Sequence, residues 1–228
     1  LPVTISDAAT VTIENDDAAA VTIADASGAE DDGAITVTAT LDYAVQGGFT
    51  VDVNTANGTA KTGDSDYSAI SSETLTFTGN EGETQTFTFT PTADTKLEAD
   101  ETVSVSMNNL DNTSLPVTIS DAATVTIEND DAVAVTIADA SGAEDDGAIT
   151  VTATLDYAVQ GGFTVDVNTA DGTATIVDSD YAALASHTLT FAGTEGETQT
   201  FTVVPTSDSK LEADETVSIS MNNLDNTV

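Results

Sequence analysis

The chain has 228 residues, of which 40 are acidic and three are basic, so its formal net charge is −37. A surface this acidic excludes nucleic acid as a partner and disfavours an anionic membrane, because both require basic side chains. Cysteine is absent, so no disulfide braces the fold, and no run of residues is apolar enough for insertion into a membrane.

The sequence consists of an internal repeat of 114 residues. Residues 1–114 and 115–228 agree at 97 of 114 positions. A period this long exceeds that of solenoids, so each repeat is large enough to be a domain. We expect one domain at 18–131 and a second at 132–228. Residues 1–17 repeat 115–131 and are expected to be the last strand of a preceding repeat, so that the second domain lacks its own last strand.

Apolar residues alternate with Thr, Ser or Asp along much of each repeat, which predicts strands with one buried face. Turn sequences such as VQGG, NGT and GNEGE separate these segments. About seven short strands per repeat, without helical periodicity, predict an all-β fold of two tandem immunoglobulin-like β-sandwiches. The predicted strands of the first repeat are 34–43, 49–56, 74–79, 84–92, 102–109 and 123–130.

Four acid-rich segments recur in each repeat, at predicted strand ends or in loops. In the first repeat they are GAEDDG at 28–33, TANGT at 55–59, ADTKLEADE at 93–101 and IENDD at 127–131. Crowded carboxylates repel one another unless protons or a metal ion neutralise them. Oxygen ligands without nearby His or Cys favour Ca²⁺ over Mg²⁺. The alternative is a solvated acidic surface, which is the usual meaning of a charge run.

Three segments of the first repeat resemble the Calx-beta domain in order and spacing: NGTAKTGDSDY at 57–67, the stretch at 74–110, and ATVTIENDD at 123–131. The resemblance implies an immunoglobulin-like sandwich with Ca²⁺ at the pole where the last strand ends. Asn57 and Asn129 stand where that family has acids, so we expect fewer or weaker ions in the first domain. The ligands implied by the resemblance are Glu30, Asp94, Glu98, Glu101, Asp130 and Asp131 in the first domain, and Glu144, Asp171, Asp208, Glu212 and Glu215 in the second.

Several polar residues outside this set are expected to have other roles. Asp66 and Asp180 are expected to organise the turn before a tyrosine. Glu128 is out of phase with the apolar positions of its strand and is expected to face solvent. His187 is the only histidine, and no nucleophile–base pair accompanies it, so we do not expect an enzyme.

The leading segment 1–17 suggests a second kind of partner. A sandwich without its last strand exposes unpaired backbone and an apolar groove, which is a template for another chain. We expect residues 1–17 of one molecule to insert into the second domain of another, giving a head-to-tail filament or a swapped dimer. Asp16 and Asp17 would then complete the calcium site of that neighbour.

These features together predict a calcium-binding extender repeat from the stalk of an RTX-type bacterial adhesin, located outside the cell. Ca²⁺ bound at the junctions between neighbouring identical repeats would stiffen the array. One alternative is a Ca²⁺-dependent module that binds carbohydrate or another ligand, and a second is a calcium-sensing regulatory module. Near-identical repetition favours the extender, because a binding tip is usually a single copy.

Overall fold

The computed structural model describes residues 1–112 and 115–226, and its regular structure is nearly all β. Two short 3₁₀-helices, Glu30–Asp32 and Glu144–Asp146, interrupt the strands. Within the described residues no helix has the length and apolar character needed to cross a membrane. The chain divides into two compact units, the first made of Leu1–Ser27, Ala34–Pro91 and Thr102–Thr126, and the second of Gly28–Gly33, Thr92–Glu101 and Ile127–Val228.

The first repeat forms two sheets. Its strands are β1 (Ala19–Ile23), β2 (Ala26–Ala29), β3 (Ile35–Leu41), β4 (Phe49–Asn57), β5 (Glu73–Phe77), β6 (Thr84–Phe89), β7 (Glu101–Asp111), β8 (Val117–Thr118) and β9 (Ala122–Glu128). One sheet is four-stranded, in the order β6-β3-β1-β8, and the other is five-stranded, in the order β2-β9-β7-β4-β5. All pairs around β3 and β4 are antiparallel, whereas β8 runs parallel to β1.

The second repeat also forms two sheets, with fewer strands in the described residues. Its strands are β10 (Val135–Ile137), β11 (Ile149–Leu155), β12 (Phe163–Asp171), β13 (Tyr181–Ala182), β14 (His187–Phe191), β15 (Thr198–Pro205) and β16 (Val217–Asn226). The strand orders in the two sheets are β10-β11-β15-β13 and β14-β12-β16.

The core of each repeat is built from the alternating apolar positions. In β3 every second side chain from Ile35 to Leu41 is buried, and the threonines between them are more exposed. Fully buried side chains such as Val37, Val51 and Val125 come from β3, β4 and β9. The period-two pattern therefore identifies the inner face of each strand.

The predicted fold class is confirmed, and the strand positions agree closely. Predicted strands 49–56, 74–79 and 84–92 correspond to β4, β5 and β6. The alternating pattern did not predict β1, β2 or the two-residue β8. Residues 1–18 form no strand and are exposed, although residues 8–14 have the same sequence as β9. The predicted domain limits stay a prediction.

Candidate metal centre

Glu30 occupies an unusual place for a carboxylate. It begins the 3₁₀-helix that links β2 to β3, and Gly33 ends that helix at φ +89°, in a region that residues with a Cβ rarely adopt. This turn directs the Glu30 side chain inward, where the residue is only 7% exposed. Among the described residues it is the one charged side chain in the buried class.

Two further carboxylates lie beside Glu30 in the second unit. One carboxylate oxygen from each of Glu30, Asp94 and Asp131 lies within 4.8 Å of the others. Asp94 comes from the loop after β6, and Asp131 follows the end of β9. The Oδ2 atom of Asp131 is buried and has no hydrogen-bond partner. A buried acceptor without a donor is costly, so this cluster lacks a positive charge or donor at its centre.

Asn129 holds the chain beside this cluster. Its Oδ1 accepts a hydrogen bond of 2.9 Å from the backbone N–H of Glu98, and its Nδ2 donates to the carbonyl oxygen of Asp131 at 3.2 Å. Its own N–H donates to Asp100 Oδ1 at 3.1 Å. An aspartate at this position could not donate from its ionised side chain. Asn129 therefore positions the Asp131 segment against the loop that contains Asp94 and Glu98.

The crowding changes the protonation of Glu30. Burial, the charge of Asp94, a side-chain hydrogen bond to Asp131 and the charges of Asp131 and Glu98 together raise its pKa from 4.5 to about 8. Each of these causes penalises negative charge at Glu30. A proton relieves this penalty, and a divalent cation would relieve it more completely, because it can neutralise several carboxylates at once.

The second repeat has two groups of three acids within the same 4.8 Å limit. One consists of Glu144, Asp208 and Glu212, and the other of Asp180, Glu212 and Glu215. Although Glu144 is exposed, partial desolvation of its carboxyl group, followed by the charge of Asp208, raises its pKa. Partial desolvation and the charge of Asp180 likewise raise the pKa of the exposed Glu215. Because Glu212 belongs to both groups, the two candidate positions are adjacent.

The remaining predicted ligands have other surroundings. Glu98 pairs with Lys96 and has a side chain only 12% exposed, whereas Glu101 is half-buried at the start of β7. Asp130 is exposed, as are Asp16 and Asp17 in the leading segment. Within residues 1–112 and 115–226, these last three acids belong to no group of three mutually close ligand atoms.

Asp171 has a hydrogen-bonding role in the structure, and its predicted role as a ligand stays a prediction. Its Oδ1 accepts hydrogen bonds from the Tyr181 hydroxyl at 2.9 Å and from the Ile176 N–H at 3.1 Å. Asn57 makes the same contact with Tyr67 at 2.8 Å in the first repeat. An amide and a carboxylate therefore accept the same tyrosine hydrogen bond at this position. Asn57 in the first repeat accordingly removes no acid from the cluster of Glu30, Asp94 and Asp131.

Asp180 has a role that the sequence analysis missed. Its Oδ2 accepts a hydrogen bond of 2.7 Å from the Thr175 N–H, as predicted for a turn, and the carboxylate also lies with Glu212 and Glu215. Asp66 makes the equivalent turn contact with the Lys61 N–H, also at 2.7 Å. The one available signal was the DSDY sequence shared by the two repeats.

The chemistry of the cluster around Glu30 suits calcium. All three ligand atoms are carboxylate oxygens, the Oδ2 atom of Asp131 is buried without a donor, and no His or Cys lies in the group. Hard oxygen ligands from irregular loops are typical of Ca²⁺ sites. Glu30, Asp94 and Asp131 therefore fit a bound calcium ion, which would need further oxygen ligands from water or backbone.

Comparison with known proteins identifies a family. The sequence profile of the Calx-beta domain matches residues 14–131 and again 128–227. Solved structures with similarity include CBD12 from CALX1.2, which is 20% identical over 90% of this chain and 80% of that chain, with a TM-score of 0.43. The calcium binding domain CBD12 of CALX1.1 is 20% identical over 91% and 82%, also with a TM-score of 0.43. The apo-form Calx CBD1 domain is 21% identical over 50% and 100%, with a TM-score of 0.44. A search of the curated proteins finds no match.

Proposed function

Because this chain belongs to the Calx-beta domain family, in two tandem copies, we propose that it binds Ca²⁺ and works as a structural extender. In this proposal the chain is part of the stalk of a bacterial cell-surface adhesin of the RTX type, outside the cell. Calcium would bind at the acid clusters and stiffen the chain where one repeat follows the next.

The observation that carries the calcium proposal is the cluster of Glu30, Asp94 and Asp131, in which Glu30 and the Oδ2 atom of Asp131 are buried. An unpartnered Asp131 oxygen beside a Glu30 whose pKa is raised to about 8 costs stability without a cation. The loops place these side chains together in spite of that cost. A bound cation converts the cost into a stabilising contribution that grows with the logarithm of its concentration.

The extender proposal follows from the position of Asp131 in the chain. Asp131 lies at the end of the Asn129–Asp131 segment that follows β9, and β10 begins at Val135, so only three residues separate them. An ion held by Asp131 would fix the start of this short connection to the Glu30 and Asp94 loops. Extracellular calcium is millimolar, so even sites with dissociation constants of about 10⁻⁴–10⁻³ M would be well occupied there.

The first experiment is a calcium titration by calorimetry, on the wild-type chain and on Glu30→Gln with Asp131→Asn. We expect the double variant to lose one site or to bind it at least tenfold more weakly, because two of the three close carboxylates are gone. Glu128→Gln is the matched control, since Glu128 is exposed and only three residues from Asp131. Equal binding by all three proteins, or no binding at 10 mM Ca²⁺, would refute the calcium proposal.

A second experiment separates the extender role from calcium binding alone. Proteolysis of the connection at residues 129–134 reports its mobility directly, because a protease cuts only where the backbone can open. We expect calcium to slow cleavage there by at least tenfold and equal Mg²⁺ to have a smaller effect. If calcium binds but leaves the cleavage rate unchanged, the protein is a calcium binder without this stiffening role.

No observation favours the ligand-binding alternative. An aromatic platform for carbohydrate would have to lie exposed beside the acids, but Tyr67 is buried and packs against Phe89, with ring centroids 5.3 Å apart. Tyr43 and Tyr157 are exposed singly in equivalent loops. The calcium-sensing alternative would need a membrane partner and stays an alternative.

A further inference from the structure

The last strand of the first repeat shows how this fold is completed. Strand β9 lies between β2 and β7, and its side chains Ala123, Val125 and Ile127 are buried. Ahead of it, the Oδ2 atom of Asp121 accepts a hydrogen bond of 2.9 Å from the Ile23 N–H. These contacts join the segment at 115–128 to both sheets of the repeat.

Two more contacts anchor the same segment. The Thr124 N–H donates to Asp25 Oδ1 at 2.7 Å. Asp25 thus accepts from the backbone of β9, and Asp121 accepts from the backbone of β1. Strand β8 runs parallel to β1, with Val117 opposite Ala19. The segment is therefore held by side-chain packing, by two aspartates and by a short parallel pair.

The second repeat has no strand at the equivalent places in its described residues. Val103 and Val105 are fully buried in the first repeat, whereas the equivalent Val217 and Ile219 are only partly buried. Residues 140–143, which correspond to β2, form no strand and are exposed. Among the described residues no strand covers this apolar face in the second repeat, whereas β9 covers it in the first.

The leading segment of the chain has the same sequence as the segment that covers this face in the first repeat. Residues 1–18 have no regular structure, and their apolar side chains point into solvent, with Val11 87% and Ile13 93% exposed. They are the counterparts of Val125 and Ile127, which are buried in β9. Exposed β-branched residues with an alternating pattern favour addition to an open sheet edge.

We propose that copies of this chain join head to tail, with residues 3–17 of one copy covering the open face of the second repeat of another. The first repeat gives the expected contacts by a shift of 114 residues. Asp7 of the incoming copy accepts from the Ile137 N–H, the Thr10 N–H donates to Asp139, and Val3 lies opposite Val133. Val11 and Ile13 take the buried positions that Val125 and Ile127 have in the first repeat.

A second pair of surfaces supports the same head-to-tail contact between two copies, which is called the joint below. Within the second unit, the Leu97 N–H donates to the Ala158 carbonyl at 2.9 Å, and the Gln160 N–H donates to the Leu97 carbonyl at 2.8 Å. Leu211, the counterpart of Leu97 in an identical KLEADE sequence, is 99% exposed.

The surface that would receive Leu211 is also open. The loop Ala44–Gln46, which corresponds to Ala158–Gln160, lines a cleft of about 790 Å³ together with Asn15–Ala19 and Leu115–Val117. In a joined pair, Leu211 of one copy would bond to Ala44 and Gln46 of the next. Because the surface on one copy differs from the surface on the other, the joint is heterologous and can propagate into a filament.

The joint also completes an acid cluster, and this part rests on the proposed function. Asp17 corresponds to Asp131 and would join Glu144 and Asp208, as Asp131 joins Glu30 and Asp94. Asn15 already donates from Nδ2 to the Asp17 carbonyl at 3.0 Å, the same turn that Asn129 makes with Asp131. Calcium is therefore expected to tighten the joint, whereas the apolar contacts do not depend on it.

The test is the solution mass of the full chain, measured by sedimentation in physiological salt with 5 mM Ca²⁺ or with chelator. We expect the mass to rise with protein concentration from 23.1 kDa to at least twice that value. A synthetic peptide of residues 1–17, added in excess, should return the mass to that of a monomer. A monomer at every concentration up to about 0.5 mM would overturn the proposal.

Two double variants test the predicted face of the strand. Val11→Asp with Ile13→Asp is expected to abolish association, and it cannot unfold the free chain because these side chains are exposed there. Ala8→Asp with Thr10→Asp adds the same charge at positions whose counterparts Ala122 and Thr124 are exposed in β9, so association should persist. Equal loss in both variants would mean that charge alone, and not the buried face, controls association.

One further variant separates the joint from the calcium proposal. Asp17→Asn should remove the strengthening by calcium, whereas association in chelator should persist or become tighter, because one carboxylate fewer crowds the cluster. If the protein associates equally with and without calcium, the joint stands and the calcium part fails. If it stays monomeric but loses stability when residues 1–17 are deleted, the segment folds back onto its own chain and the intermolecular joint is wrong.

Discussion

Replacing Glu30 by glutamine should change stability in opposite directions with and without calcium. In chelator at pH 7 the folded protein either keeps a proton on Glu30 or holds a third negative charge beside Asp94 and Asp131. Glutamine has nearly the same shape and needs no proton, so Glu30→Gln should stabilise the metal-free protein. With calcium the same change removes a ligand and should destabilise the protein.

The raised pKa of Glu30 sets the size of the effect. The pKa of Glu30 is 4.5 in its ordinary state and about 8 in the folded protein. Since one pKa unit corresponds to about 1.36 kcal/mol, keeping the proton at pH 7 costs ~3 kcal/mol before screening. Water at the open side of the cluster screens the charges, so we expect a gain of ~1–2 kcal/mol for the variant. For a domain of about 100 residues each kcal/mol raises Tm by ~4–8 °C.

The sign of the pH dependence provides an internal check. The folded state binds more protons than the unfolded state between pH 4.5 and about 8, so the free energy of unfolding should fall as pH rises through that window. In Glu30→Gln this dependence should be flatter. With calcium the wild type should be the more stable of the two proteins, because the metal ion replaces the proton on Glu30.

The assay is urea unfolding followed by circular dichroism, in chelator at pH 5, 7 and 8.5 and in 5 mM Ca²⁺ at pH 7. Glu144→Gln is the matched control: it has the same neighbours in sequence, but Glu144 is exposed, so its change in chelator should be much smaller. A destabilised Glu30→Gln in chelator would refute the argument that Glu30 is held in an unfavourable environment.

Three more predictions concern the fold. Val125→Ala removes a fully buried side chain from β9 and should cost ~1.5–3 kcal/mol of unfolding free energy by urea unfolding, whereas Val11→Ala in the exposed counterpart should leave a dilute sample unchanged. The backbone N–H groups of residues 78–80 hold the pKa of Glu83 at about 2. The stabilisation of the folded state by ionised Glu83 is therefore complete above pH 4.5 and is lost as the pH falls towards 2. Acid unfolding of Glu83→Gln should lack this loss of stability. Tyr181→Phe should lower Tm more than Tyr67→Phe, because the Tyr181 hydroxyl donates to a carboxylate and the Tyr67 hydroxyl to an amide.

Many residues of the candidate site could be predicted from the sequence, but which acids lie together depends on contacts between distant parts of the chain. The resemblance to the Calx-beta family implied Glu30, Asp94 and Asp131, and the structure brings these three together. It also implied Asp171, which accepts a hydrogen bond from a tyrosine and whose role as a ligand stays a prediction. Asp180 was expected only to organise a turn, yet it lies with two other acids. Sequence spacing cannot say which of several loop acids face one another, because that depends on how separate loops pack.

The sequence by itself determined the strands and their inner faces. Alternation is a local property: once Val37 and Ala39 point inward, the pleat directs Thr38 between them to the opposite face. Only the tertiary structure decided which acids are buried. Residues 28–34 and 142–148 are identical, yet Glu30 is buried and Glu144 is exposed. The physical reason lies in distant contacts: Glu30 follows β2, which pairs with β9, and it lies beside Asp131, about 100 residues further along the chain. Neither β9 nor Asp131 has a counterpart in the described second repeat.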